Sequence, residues 1–132
     1  MKKLLVFIMI FVCALGIKAQ TQWYKGYQYS QRYVNTYGNW TSWSDWSTCN
    51  IPIKFDLNSD VITIYSKKTQ IYKVYKSDSY VDSDGETVVR FYFIDQDLDY
   101  GHMRLMIRSN GTSQIYIDFK DISWCYNVKR TQ

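Results

Sequence analysis

Residues 101–120 read GHMRLMIRSNGTSQIYIDFK. Met103, Leu105 and Ile107 alternate with His102, Arg104, Met106 and Arg108. After a break, Ile115, Ile117 and Phe119 alternate with Gln114, Tyr116, Asp118 and Lys120. A period of two places alternate side chains on opposite faces of an extended strand. The break contains Asn110-Gly111, a hairpin signal. A two-residue loop would pair residue 109 with 112 and set odd Leu105 opposite even Tyr116. Paired side chains share a face, and both apolar sets carry odd numbers. Burial therefore requires an odd loop. The sequence predicts three residues, with Gly111 left-handed beside a bulge.

The same alternation extends outward. Ile51, Ile53, Phe55 and Leu57 alternate with Asn50, Pro52, Lys54 and Asp56, which puts the only proline on the wet face and suggests an edge strand. Asn58-Ser59-Asp60 reads as a turn before Val61–Ser66, and Lys67-Lys68 as a turn before Gln70–Lys76, which is mixed on both faces. Asp82-Ser83-Asp84-Gly85 is a further hairpin signal, followed by Val89, Phe91 and Phe93 on one face. Trp124, Tyr126 and Val128 end the pattern. The fold class is all-β: a single antiparallel meander of about seven strands, closing into a small barrel or a strongly curved sheet.

The chain divides into three stretches. Residues 1–19 follow a secretory-signal layout: Lys2-Lys3, an apolar run from Leu4 to Ile17, and Ala19 before the cut. The run is too short to span a bilayer comfortably. Val12 before Cys13 does not fit a lipoprotein signal, and an uncleaved anchor is the alternative. A secreted or periplasmic chain with no membrane span after cleavage is expected. Residues 20–48 form an aromatic and polar N-terminal segment whose one aliphatic is Val34. Residues 49–132 form the antiparallel β-domain.

Losing Lys2, Lys3 and Lys18 leaves 13 of the 16 basic residues against 12 acidic ones, a net charge of +1. No basic run exceeds two residues, so the concentrated positive surface that nucleic acid requires is not expected. The mature chain keeps Cys49 and Cys125. In an oxidising compartment two cysteines more often form a disulfide than a site, and two separate buried thiols are the competing arrangement.

Asp95, Asp97 and Asp99 precede Tyr100-Gly101. Alternate carboxylates can wrap calcium, but an EF-hand loop begun at Asp95 meets Tyr100 and Met106 where glycine and glutamate belong. A solvated acidic turn is the alternative, and no cofactor is expected. His102 is the only histidine, and no nucleophile or phosphate-loop motif surrounds it. A small extracytoplasmic hydrolase would have to use His102 or Asp118, with Asp121 near in sequence.

Residues 40–49 read WTSWSDWSTC. A spacing of three repeats on one face of a polyproline-II-like segment, so one extended conformation aligns Trp40, Trp43 and Trp46. Ser and Thr between them disfavour helix. Arg90, Arg104 and Arg108 lie on the outer faces of their strands and are candidates to insert among the indoles. Packing of the tryptophans on the domain's own sheet is the competing reading.

WTSWSDWSTC resembles the start of a thrombospondin type-1 repeat, which implies tryptophans layered with arginines. That repeat also needs six cysteines, and the mature chain has two. Across most of its length the chain resembles small exported bacterial proteins of unknown function, through the tryptophan-rich segment, IYSKKTQIY and QIYIDFKDISWCYNV. The expected function is a non-enzymatic binding module for a protein or glycan partner, read by Trp23, Tyr27, Trp40, Trp43 and Trp46. An envelope-associated structural protein is a further alternative.

Overall fold

A computed structural model describes residues 21–108 and 112–131. The signal-peptide expectation for residues 1–19 and the conformation of Gly111 lie outside the described residues. Period-two segments form eight strands: β1 (Thr21–Tyr33), β2 (Ser47–Asp56), β3 (Val61–Ile64), β4 (Gln70–Val81), β5 (Thr87–Asp95), β6 (Tyr100–Ile107), β7 (Ser113–Asp118) and β8 (Ile122–Arg130). Each pairs antiparallel with the next, and β1 pairs with β8, so the meander closes into a barrel. Closure leaves no sheet edge to template pairing with another chain.

The parity argument for β6 and β7 holds: Leu105 lies opposite Ile115, and Met103 opposite Ile117. Beyond the last strand pair, Ile107 with Ser113, Arg108 N donates to Thr112 O at 3.1 Å. Pro52 faces outward, where the β2–β3 ladder ends, since β3 pairs only with Ile53–Asp56.

The eighth strand comes from the segment set apart as N-terminal. Thr21–Tyr33 is integral to the wall, paired with β2 on one side and β8 on the other. A bulge between Gly26 and Gln28 shifts its register. Gln22 and Tyr24 point inward before the bulge. After it, Tyr29 opposes Tyr126 and Gln31 opposes Trp124, so odd residues point inward. A second bulge, between Val74 and Lys76, switches the faces of β4. Gln70–Lys76 read as mixed because polar Gln70 shares the inner face with Tyr72 and Val74 while apolar Ile71 and Tyr75 face outward.

The interior is filled by buried Ile53, Phe55, Ile62, Ile64, Phe91, Phe93, Met103, Leu105, Ile115, Ile117 and Val128. Eight strands give a barrel whose inside side chains can nearly fill. Lys54, Lys73, Lys76, Arg90, Arg104 and Lys129 stand on the other face, so the wall is apolar within and charged without. Among the described residues no helix is long and apolar enough to cross a membrane. At Gly101 a Cβ would lie 2.6 Å from the Asp118 carbonyl oxygen and 2.9 Å from the Phe93 ring. Only glycine lets that ring lie against the β6–β7 ladder.

Three hairpin turns share one design. In Asn35–Asn39, Asp82–Glu86 and Asp95–Asp99, the first side chain's Oδ1 accepts from the backbone N–H groups two and four residues on. The fourth residue takes a left-handed φ: Gly38 (81°), Gly85 (78°) and Leu98 (66°). Asn and Asp favour such turns because their short side chains bond the backbone locally.

Candidate functional site

Residues 34–46 leave β1, turn at Asn35–Asn39 and run back extended along the outside of β1. Two hydroxyl residues pin the segment. Thr41 N donates to Tyr33 O at 2.8 Å, and Thr41 Oγ1 accepts from Tyr33 N at 3.1 Å. Ser44 N donates to Gln31 O at 2.9 Å, Ser44 Oγ accepts from Gln31 N at 3.0 Å, and Ser30 Oγ donates to Ser44 O at 2.6 Å. Each pin directly follows a tryptophan. The period of three thus serves two purposes: one residue anchors the strap while its neighbour presents an indole.

Arg32 lies between the first two indoles. Its guanidinium carbon is 4.7 Å from the ring centroid of Trp40 and 4.7 Å from that of Trp43. Its Nε is buried and finds no hydrogen-bond acceptor among the described residues, so ring faces are the main attraction acting there. Trp43 meets Tyr116 edge-on at 5.9 Å, and Arg104 covers Tyr116 at 4.3 Å. The indole–guanidinium layering therefore forms, but with Arg32, not with the three arginines picked out above. Arg90 lies over Tyr80 and Tyr92, Arg104 over Tyr116, and Arg108 pairs with Glu86 at 3.3 Å. No alternation marks Arg32 in the sequence, because the bulge before it breaks the period.

The tryptophans stay on the outer wall and out of the core. Trp40 is 41 % exposed, Trp43 37 % and Trp46 44 %, enough to leave indole surface for a partner. Trp23 and Tyr27 do not join them. Trp23 stacks on Tyr65 at 5.9 Å, with Lys54 over its ring at 5.7 Å, and Tyr27 sits at the bulge with Lys129 over its ring at 5.1 Å.

Cys49 and Cys125 are free thiols, which overturns the expected disulfide. They lie on opposite faces of the wall. Cys49 packs against the interior and reaches Gly26 O at 3.4 Å. Cys125 shares the outer face with Ser30 and Tyr116, its partners on β1 and β7. Burial pushes the Cys125 thiol up to about 11, so it remains protonated at neutral pH.

The carboxylates of Asp95, Asp97 and Asp99 do converge, with oxygens within 4.8 Å of one another. Asp95 is already occupied as the turn staple, and the same turn forms at Asn35 and Asp82. Turn chemistry thus accounts for the first aspartate of the triad.

His102 and Asp118 do meet: Nε2 is 3.0 Å from Oδ2. Arg104 Nε reaches the same oxygen at 2.7 Å, and Ser123 Oγ donates to Oδ1 at 2.6 Å. Burial opposes ionisation of Asp118. The hydrogen bonds from His102, Arg104 and Ser123 and the Arg104 charge outweigh it and hold the carboxyl well below the usual range. Ser123 donates to the aspartate and not to the histidine, so this is not a nucleophile–base pair. Asp121 lies in the β7–β8 turn, where its carbonyl accepts from Val34 N at 2.9 Å.

No protein-family model matches the chain, and no curated protein or solved structure matches it.

Proposed function

We propose that this protein is an exported, non-enzymatic binding module that engages a protein or glycan partner through Trp40, Trp43 and Trp46. The observation carrying this reading is their joint exposure, at 41 %, 37 % and 44 %, on a strap fixed at both pins. An indole offers a flat apolar face and one polar edge, which suits sugar rings and protein side chains alike. Fixing the row on β1 lowers the ordering cost of association. Residues 1–19 support the extracytoplasmic placement by their signal layout.

A hydrolase would draw on His102 and Asp118. The occupied, ionised state of Asp118 disfavours it as an acid or base near neutral pH.

The test uses the chain from residue 20 onward and a Trp40→Ala/Trp43→Ala/Trp46→Ala variant, with circular dichroism confirming the fold. Both are passed over immobilised polysaccharides and cross-linked to envelope proteins while tryptophan emission is followed. Retention of the parent with an emission shift, and its loss in the variant, is the expected result. Equal retention of both would remove the row as the interface.

A further inference from the structure

The two ends of the barrel differ. Beside the β2–β3 turn, Phe55, Val74 and Phe91 leave a cleft of only about 10 Å³. At the end holding the β3–β4, β5–β6 and β7–β8 turns, a cup of about 610 Å³ opens to solvent. That volume is in the range of small-molecule sites, and eight strands can hold one small ligand.

The cup has an aromatic floor. Tyr72, Phe119 and Trp124 line it. They are linked through Phe93: Tyr72 to Phe93 at 4.5 Å, Phe93 to Phe119 at 5.4 Å, and Phe119 to Trp124 at 6.0 Å. Gly101 makes room for the Phe93 ring beneath them.

The charged lining residues are Asp95, Asp97, Asp99 and Asp121 against Lys68 and Lys120, four negative charges to two positive. None of these carboxylates is ion-paired among the described residues. Cavity and floor define the site, and the carboxylates set its sign. Ring faces attract cations as well as apolar groups, and a cleft of one sign concentrates the opposite ion.

We infer that the barrel mouth is a second binding site, separate from the tryptophan row, and that it takes a small organic cation: an ammonium group carried on a flat apolar body. The body stacks on Tyr72, Phe119 and Trp124, and the ammonium faces Asp97 and Asp99.

Calorimetry with the chain from residue 20 onward tests this using three probes of one size: phenethylammonium, neutral 2-phenylethanol and anionic phenylacetate. Phenethylammonium is expected to bind saturably and about 10-fold more tightly than 2-phenylethanol, with phenylacetate weakest. Asp97→Asn/Asp99→Asn, which spares the turn staple Asp95, is expected to weaken phenethylammonium about 5-fold and leave 2-phenylethanol unchanged. Trp124→Leu is expected to weaken both, and Trp40→Ala/Trp43→Ala neither. If Trp124→Leu fails to fold, the aspartate variant still decides. No saturable binding of phenethylammonium, equal or tighter binding of the neutral or anionic probe, or sensitivity to the Trp40→Ala/Trp43→Ala change would each overturn the inference.

Discussion

Leu98→Gly is expected to stabilise the protein, although it deletes a large apolar side chain. Leu98 holds φ at 66°, where the equivalent turn residues are Gly38 and Gly85. A side chain in that region costs about 1–2 kcal/mol through contact between Cβ and the backbone. Glycine removes that cost, and it adds about 0.5–1 kcal/mol of backbone entropy to the unfolded chain. Leu98 is 74 % exposed, so little burial is lost. The balance is a gain of about 0.5–1 kcal/mol, read as a higher urea midpoint and a melting temperature raised by about 2–6 °C. Gly85→Ala supplies the control, because nothing lies within 4 Å of a Cβ there and conformation alone would act. It is expected to lose about 1 kcal/mol. A Leu98→Gly variant less stable than the parent by more than about 0.5 kcal/mol would refute the reasoning and show that the leucine is packed.

Asp118 governs the acid limb of stability. Its carboxyl titrates lower in the folded chain than unfolded, so the unfolded state binds the extra proton and the contribution is complete above about pH 4. It is lost as pH falls below that. Asp118→Asn is expected to cost about 2–3 kcal/mol at pH 7 and to flatten the decline between about pH 4 and pH 2, measured as urea midpoint against pH; parallel profiles would contradict this. The thiols give a separate check. The chain from residue 20 onward should show no two-dalton mass change on reduction, and iodoacetamide should modify Cys49 before Cys125, which stays protonated under the strap. A mass shift would be incompatible with their placement on opposite faces, and faster labelling of Cys125 with its burial.

Strands that keep their period were legible in the sequence. Leu105 faces Ile115 in keeping with odd burial on both strands, which excludes every odd-sum register and leaves the loop length to select among the even ones. β1 was not legible. Its inward residues are Gln22, Tyr24, Tyr29 and Gln31, not aliphatics, and the bulge at Tyr27 moves the inward set from even to odd numbers. A period-two search fails on such a strand although its backbone pairs on both sides. Arg32 was hidden for the same reason. The pairing of Trp40 with Trp43 was legible, since a spacing of three lets both indoles share one side of an extended segment, where they meet across Arg32. Their exposure was not, because burial depends on which wall the strap lies against. The thiol pairing was misread because chain separation carries no information about the inner and outer faces of a closed sheet. The mouth residues Tyr72, Phe119 and Trp124 carry no motif and come together only through closure.

That closure has a consequence for how the chain reaches its folded state. The seam joins β1 to β8, and along it Asn127 Nδ2 donates to Gln28 Oε1 at 3.0 Å across 99 positions. Neighbouring strands can zip early, because short turns bring them together with little entropy lost. The seam must wait for the whole chain and then meet the largest loop-closure cost of all the ladders. Until β8 is in place, β1 and β7 each present an unpaired edge. The last nine strand residues, Ile122–Arg130, therefore act as the latch of the fold. A chain cut before Ile122 would be an open sheet with adhesive margins, prone to pair with its own kind.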